Sequence, residues 1–326
     1  MKVLVTGANG FLGSWLCQRL QAEGHDVTAL VRKSSDLSEI ETLKLKLTYG
    51  DVTDKSSLKS AFKNKDYIFH LAGVVAYKKE DRTLMDKVNV DGTQNVVDVL
   101  SGQQQAKLLH LSSVVAVGAT FKPTVQNEDS EYLIGKYNLG YFETKRKAEA
   151  IVIAAAKKNI IHAICINPST IYGPGDAKKG SRQTQVKVAQ GKFPFYTGGG
   201  VNVVAVEDVV DGIIKALTKG RNGERYILAA DNITIKDLFK SIACLAGQKN
   251  PSIYLPFPVL KLIGLIGDLT KKGVSVENAY TASMYHWFDS SKAQTELGFE
   301  PKPSVVAIEK SVRWMKEHGY LDEHLK

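Results

Sequence analysis

Met1-Lys2-Val3-Leu4-Val5-Thr6-Gly7-Ala8-Asn9-Gly10-Phe11-Leu12-Gly13 opens the chain. A short apolar run breaks into three glycines three residues apart and resumes as a helical pattern. Leu12, Trp15, Leu16 and Leu20 recur at helical spacing, and Gly24 stands where a helix would end. The stretch reads as strand, phosphate-binding turn, helix. Gly7 allows the tight turn off the strand, Gly10 lets a pyrophosphate approach the backbone, and Gly13 brings the helix close to the sheet. The unpaired N–H groups of the first helical turn then face the anion. Without the flanking strand and helix, three glycines would signal only a turn.

At 326 residues the chain can bury one large core with a smaller annex. We expect a dinucleotide-binding domain over residues 1–170, to which the chain returns near 200–230, and a smaller substrate-binding α/β lobe over most of 171–326. The net charge is +9, yet the lysines are scattered and no basic run reaches five residues. A solvated basic surface fits better than a nucleic-acid partner. Cys17, Cys165 and Cys244 form no C-x-x-C pair, and His25, His70, His110, His162, His286, His318 and His324 show no ligand spacing, so no metal site is expected. The cysteine usage suits a reducing compartment. With the first strand starting at residue 2, no cleaved signal is expected ahead of it, and a cytoplasmic location is. The most apolar later stretch, Leu255 to Leu269, is interrupted by Pro256, Pro258, Lys261 and Asp268. It is too short and too broken to span a bilayer, so no membrane partner is expected.

Residues 26 to 32 read as the second strand, ending in Arg32. An acid there would receive the ribose hydroxyls of NAD, whereas an arginine can pair with the 2′-phosphate of NADP. NADP is therefore the expected cofactor and NAD the alternative. A third strand, Leu45 to Tyr49, ends in Gly50-Asp51-Val52, where a side chain could meet an adenine. The fourth, Asp66 to Leu71, ends in Ala72-Gly73, small enough for backbone to lie against a cofactor. Asn89 to Thr93 leads into an apolar helix through Val96, Val97 and Leu100, and Lys107 to Ser113 reads as a strand ending in Ser112 and Ser113. Strands alternating with helices at this spacing give a parallel, doubly wound sheet with its ligand at the carboxyl ends of the strands.

Tyr141-Phe-Glu-Thr-Lys145 places a phenol and an ammonium at i and i+4, on one face of a helix. Tyr132-Leu-Ile-Gly-Lys136 has the same spacing. The later copy is preferred because Lys145 to Ala156 continues as a strong helix former, while Gly135 interrupts the earlier one.

Taken together, the glycine turn, the Ser112-Ser113 strand end and Tyr141-x-x-x-Lys145 resemble the extended short-chain dehydrogenase/reductase family. So do Asn167-Pro168-Ser169, Tyr172-Gly173-Pro174-Gly175-Asp176 and Ser291-Lys292-Ala293-x-x-Glu296-Leu297-Gly298. The likeness is greatest to its dihydroflavonol-4-reductase-like branch. The resemblance implies a Rossmann fold with Ser113, Tyr141 and Lys145 as catalytic residues and Asn89 in support. Around the cofactor it implies Gly7, Asn9, Gly10, Phe11, Leu12 and Gly13; Arg32, Asp51 and Val52; Leu71, Ala72 and Gly73; Ser112, Tyr141 and Lys145; and Asn167, Pro168 and Ser169. It further implies a homodimer through the helices carrying Val96 and Tyr141. Two departures matter. Val114-Val115 occupy the places where sugar 4,6-dehydratases carry Asp-Glu, and Ala205 stands where many sugar-acting members carry His or Arg.

The implied chemistry is reduction of a small carbonyl substrate, apolar or aromatic in view of Phe121, Tyr137, Phe193, Phe195, Tyr196, Tyr254, Phe257, Tyr285, Trp287 and Phe288 in the variable regions. Lys145 beside the phenol is expected to lower its pKa from about 10. An epimerase that retains its nucleotide is the runner-up, and a non-catalytic nucleotide sensor the third reading.

Overall fold

A computed structural model describes residues 1–102 and 106–321. His324 lies outside the described residues. In the first half, short β-branched runs alternate with helices: β1 (Lys2–Thr6), α1 (Phe11–Ala22), β2 (Asp26–Val31), β3 (Lys46–Tyr49), α2 (Lys55–Ala61) and β4 (Tyr67–His70). α3 (Arg82–Met85) passes through a π-helical turn, Asp86–Asp91, into α4 (Gly92–Ser101), and β5 (Lys107–Leu111) follows. Val3, Leu4 and Val5 of β1 are wholly buried, as a central parallel strand covered on both faces requires.

The middle of the chain holds β6 (Val125–Gln126), α5 (Gly140–Lys157), β7 (Ala163–Pro168), β8 (Thr170–Tyr172), α6 (Gln183–Ala189), β9 (Phe195–Tyr196), β10 (Gly200–Ala205), α7 (Val206–Lys219) and β11 (Arg225–Leu228). After it come β12 (Asp231–Thr234), α8 (Ile235–Ala246), β13 (Ile253–Tyr254), α9 (Phe257–Thr270), α10 (Val276–Ser283), β14 (Tyr285–Phe288), α11 (Ser291–Leu297) and α12 (Ser304–Glu317). Among the described residues, no helix is long and apolar enough to cross a membrane.

Seven parallel strands form the main sheet in the order β11-β7-β5-β4-β1-β2-β3. The order reverses between β1 and β4, which opens a crevice beyond their carboxyl ends, at Gly7 and at Leu71 to Gly73. One face buries Val5, Leu16, Leu20, Val209 and Ile213 together with Ala293 and Leu297 of α11. The other buries Leu4, Ile68, Leu108 and Val152 with Val96, Val97 and Leu100. Side chains of that size each contribute about 1.5–3 kcal/mol when fully buried. Val96, Val97 and Leu100 are thus occupied by their own sheet and, contrary to the expectation above, offer no exposed face to a second copy.

The smaller sheet runs β12-β10-β14-β6, with β8 paired to β10. β6 comes from the first half of the chain and pairs with Trp287 and Phe288, so the smaller layer is not simply a C-terminal tail. Strand ends also fall short of the sequence reading. β2 stops at Val31 and leaves Arg32 on the following turn, while β5 stops at Leu111 because Ser113 caps a 3-10 turn, Val114–Ala116.

Candidate active site

Gly7 has φ +69°, and a Cβ there would lie 2.8 Å from the backbone nitrogen of Ala72. A Cβ on Gly13 would run into the Gly7 carbonyl oxygen. Both glycines are therefore demanded by close packing of turn, sheet and helix. At Gly10 the added atom would meet only the Gly7 oxygen, at 3.3 Å, so the turn is open to a ligand there. α1 has no side-chain cap and no acid in its first turn, which leaves its N–H groups receptive to an anion. The Asn9 amide donates to the Asp36 carbonyl at 2.9 Å and ties the turn to the loop after β2. Leu12 is buried in the core.

Around the adenosine end, Arg32 is exposed and its guanidinium makes no hydrogen bond or ion pair with a described residue; only its backbone N–H is engaged, with Ser35 Oγ at 3.1 Å. The Asp51 carboxylate turns back to accept from Thr53 N and Oγ1 at 2.9 and 2.8 Å. Val52 packs against Gly92, where a Cβ would lie 2.9 Å from its side chain. Of the three, Arg32 alone presents an unused charge.

The wall formed by Leu71 to Gly73 is held by a chain of hydrogen bonds not foreseen from the sequence. The Ala72 N–H donates to Thr6 Oγ1 at 3.1 Å, and Thr6 Oγ1 lies 2.9 Å from His70 Nδ1. His70 Nε2 lies 3.1 Å from Thr93 Oγ1, which donates to the Asn89 carbonyl at 2.6 Å. Only one polarity satisfies every member: Thr6 donates to Nδ1, and Nε2–H donates to Thr93. His70 is therefore neutral, in agreement with a pKa pushed down to about 3, first by burial and then by the Lys145 charge. Asn89 stands on the π-helical turn, where the widened backbone aims it inward. Its side chain accepts from Val74 N at 2.7 Å and donates to the Val74 carbonyl and to Thr144 Oγ1 at 2.9 and 3.2 Å. Asn89 thus fastens this wall to α5.

α5 brings Tyr141 and Lys145 into the crevice, both buried. Lys145 Nζ donates to the Leu111 carbonyl at 2.8 Å, and a Cβ on Gly73 would lie 3.6 Å from it. Burial brings the Lys145 ammonium down to about 8, with Glu149 acting in the opposite direction. Tyr141 departs from expectation. Burial, and then the neighbouring Tyr77, raise its pKa, while a hydrogen bond with Ser113 pulls it back. Desolvation of the phenolate outweighs any help from Lys145, whose charge is directed at the end of β5. Asn167 donates to the Ser113 carbonyl at 3.0 Å and to Glu149 at 2.5 Å, so it holds the serine in place. Pro168 ends β7, and the hydroxyls of Ser112 and Ser169 are buried with no hydrogen-bond partner among the described residues. The rival tyrosine is elsewhere: Tyr132 donates to Glu143 at 2.8 Å and lies under Arg146, while Lys136 sits in a 3-10 turn.

Four residues join the site without having been singled out in the sequence. Glu277 of α10, buried, accepts from the Gly140 N–H at 2.9 Å and from Arg82 at 2.6 Å, which fixes the amino end of α5. Tyr77 meets the Tyr141 ring edge-on at 6.0 Å. Lys179 lies 4.0 Å over the Phe11 ring, and buried Arg182 lies 3.8 Å over Tyr172. Both cations donate to the Ile171 carbonyl, at 3.2 and 2.6 Å, with Asp176 as their nearest carboxylate. Burial, and then the Arg182 charge, hold the Lys179 ammonium well below its ordinary pKa. No spacing rule links Glu277 to Gly140, Tyr77 to Tyr141 or Lys179 to Phe11, because each of these contacts joins segments far apart in the chain.

The sequence profile of the NAD dependent epimerase/dehydratase family matches residues 3–229. The chain is 29% identical over 333 residues to the "Sterol demethylase protein B" of Methylococcus capsulatus, covering 98% of this chain and all of that one. It is 28% identical over 336 residues to a Synechocystis protein named for dihydroflavonol 4-reductase, covering 97% and 95% of the two chains. Among solved structures, gox2253 superposes with a TM-score of 0.87 at 33% identity over 98% of this chain and 99% of that one. The match of profile, fold and crevice places this chain in the NAD dependent epimerase/dehydratase family, among enzymes of the extended short-chain dehydrogenase/reductase type that bind NAD(P).

Proposed function

We propose that the protein is an NADPH-dependent reductase of an apolar ketone or aldehyde. When bound, the reduced nicotinamide supplies a hydride to the carbonyl carbon. Tyr141 gives its phenolic proton to the carbonyl oxygen, which completes the alcohol, and Ser113 hydrogen-bonds that oxygen and sets its angle. Lys145 holds its positive charge beside the nicotinamide ribose. Gly7, Gly10 and Gly13 admit the pyrophosphate, and Arg32 meets the 2′-phosphate. Asn89, Asn167 and Glu277 act through other residues, as positioning groups.

The observation that carries the reading is the placement of Tyr141 and Lys145, buried one turn apart on α5, with the Lys145 ammonium on the Leu111 carbonyl beside Gly73. Around the phenol stand apolar and aromatic groups, Val74, Ala76, Tyr77, Val115, Tyr137 and Tyr280, which suit an apolar carbonyl compound better than a sugar nucleotide. The names of two relatives, for a sterol demethylase and a dihydroflavonol reductase, agree with an apolar ring substrate. The test is a panel of carbonyl compounds with NADPH oxidation followed optically, after mass analysis for copurified nucleotide. Stoichiometric turnover of added NADPH supports the reductase. Tightly retained NAD with no net oxidation would transfer the reading to an epimerase.

A further inference from the structure

α9 inverts the usual arrangement of a surface helix. Its buried positions are Leu260 and Gly264, while Leu262, Leu265, Ile266 and Leu269 are 59%, 53%, 55% and 85% exposed, with Val259 and Ile263 beside them. Glycines make this possible. A Cβ on Gly264 would lie 2.9 Å from the Ser275 carbonyl, and one on Gly267 would strike that of Val274. The helix is seated by backbone on backbone, and its large side chains point outward. Single exposed leucines are ordinary, but a contiguous row on one helix marks an interaction surface.

We propose that α9 docks the protein on a bilayer rich in anionic phospholipid, lying in the plane of the interface. Its 14 residues reach about 21 Å, short of the roughly 30 Å hydrocarbon layer, so it rests on the membrane rather than crossing it. The charge around it fits that occupant. Lys271 and Lys272 are exposed at the carboxyl end of α9, while Asp268 turns its carboxylate back to accept from Val276 N at 3.4 Å and Lys261 lies over the Tyr280 ring. Lysines at the end of an apolar face are what an anionic headgroup layer attracts.

The inward side of α9, which carries Leu260 and Gly264, borders the crevice. Phe257, at the start of α9, meets Phe121 at 5.7 Å and Tyr280 at 5.2 Å, and Tyr280 meets Tyr137 at 4.8 Å. Tyr137, Tyr280 and Tyr77 pack on the cluster that contains Tyr141. An aromatic wall thus leads from the docked helix to the phenol, along which a membrane-dissolved carbonyl compound would travel. That last clause rests on the reductase reading; the docking does not.

The test floats the full chain with phosphatidylglycerol-containing vesicles and with phosphatidylcholine vesicles on a density gradient. It needs neither cofactor nor turnover, so its failure is separable from failure of the reductase. The expected result is flotation with the anionic vesicles, lowered at least tenfold in Leu262→Glu/Ile266→Glu. In Lys271→Glu/Lys272→Glu it falls more than tenfold, since each lysine near such a surface is worth about fivefold. These positions are exposed, and circular dichroism checks that the variants fold. A wild type that never floats, flotation indifferent to lipid charge, or variants that float as well as wild type would each overturn the proposal. So would a wild-type dimer that the Leu262→Glu/Ile266→Glu change dissolves in the absence of lipid binding, which would give the face to a second copy.

Discussion

Lys145 is expected to set the alkaline limit of the reaction. Burial lowers its ammonium to about 8, well under the ordinary value of about 10.4. If the charged form is the one that supports the ribose, kcat/KM stays level below that pH and falls tenfold for each unit above it, to about a tenth at pH 9. Tyr141 cannot be the source of this limb, because burial raises its phenol and keeps the proton donor intact. Glu149 provides the control. Its carboxylate holds the Lys145 pKa up, while its oxygens receive Asn167 and Arg225 at 2.5 and 2.9 Å. Glu149→Gln keeps an acceptor there but removes the charge, so the limb moves to lower pH. Initial rates of NADPH oxidation at low carbonyl concentration, from about pH 6 to about pH 10, read both effects as free-enzyme ionisations. A profile flat to the alkaline end, or a limb that moves upward in Glu149→Gln, would refute the assignment.

Three further outcomes are expected. Arg32→Ala weakens NADPH about tenfold and leaves NADH nearly unchanged, the low end for a charge-assisted contact because the side chain is exposed; isothermal titration of both cofactors checks it, and equal wild-type affinities would count against the phosphate contact. Acid destabilises the fold through His70 and His110, both held neutral by burial. Their folded pKa values lie below the unfolded value of about 6.5, so stability is full above that pH and is lost as pH falls below it, for His70 down to about 3, at about 1.4 kcal/mol per pH unit for a histidine in that window; urea midpoints from pH 7 downward measure the slope. Glu277→Gln leaves the charge of Arg82 only partly matched at the amino end of α5 and lowers the unfolding free energy by about 1–3 kcal/mol, with a fall in turnover alongside.

How much of this could be read in the chain follows from the range of each interaction. The glycine turn, the alternating parallel strands and the helix under Tyr141-x-x-x-Lys145 depend on local pattern, and local pattern is what a sequence displays. Gly135 interrupting the earlier copy is enough to explain why no helix carries Tyr132 and Lys136. Contacts such as Glu277 to Gly140 or Lys179 to Phe11 join segments more than a hundred residues apart, and no periodicity encodes them. The link from the Asn9 amide to the Asp36 carbonyl is likewise invisible in the turn's own pattern, since it reaches across to the loop after β2. The Tyr141 pKa went the other way for a related reason: residue spacing shows that a lysine is near, but not how completely the phenol is desolvated. Leu255 to Leu269 showed its length and interruptions in sequence, whereas its outward-facing side depends on where Gly264 and Gly267 seat it.

The most direct test of the account is the turnover number for NADPH oxidation with the best carbonyl substrate in wild type, Tyr141→Phe and Tyr132→Phe. Loss of a positioned proton donor predicts a fall of about 10² to 10⁴ in Tyr141→Phe with cofactor affinity kept, and near wild-type rates in Tyr132→Phe, whose hydroxyl serves Glu143. A Tyr141→Phe enzyme that keeps its wild-type kcat, or an inactive Tyr132→Phe enzyme, would contradict it.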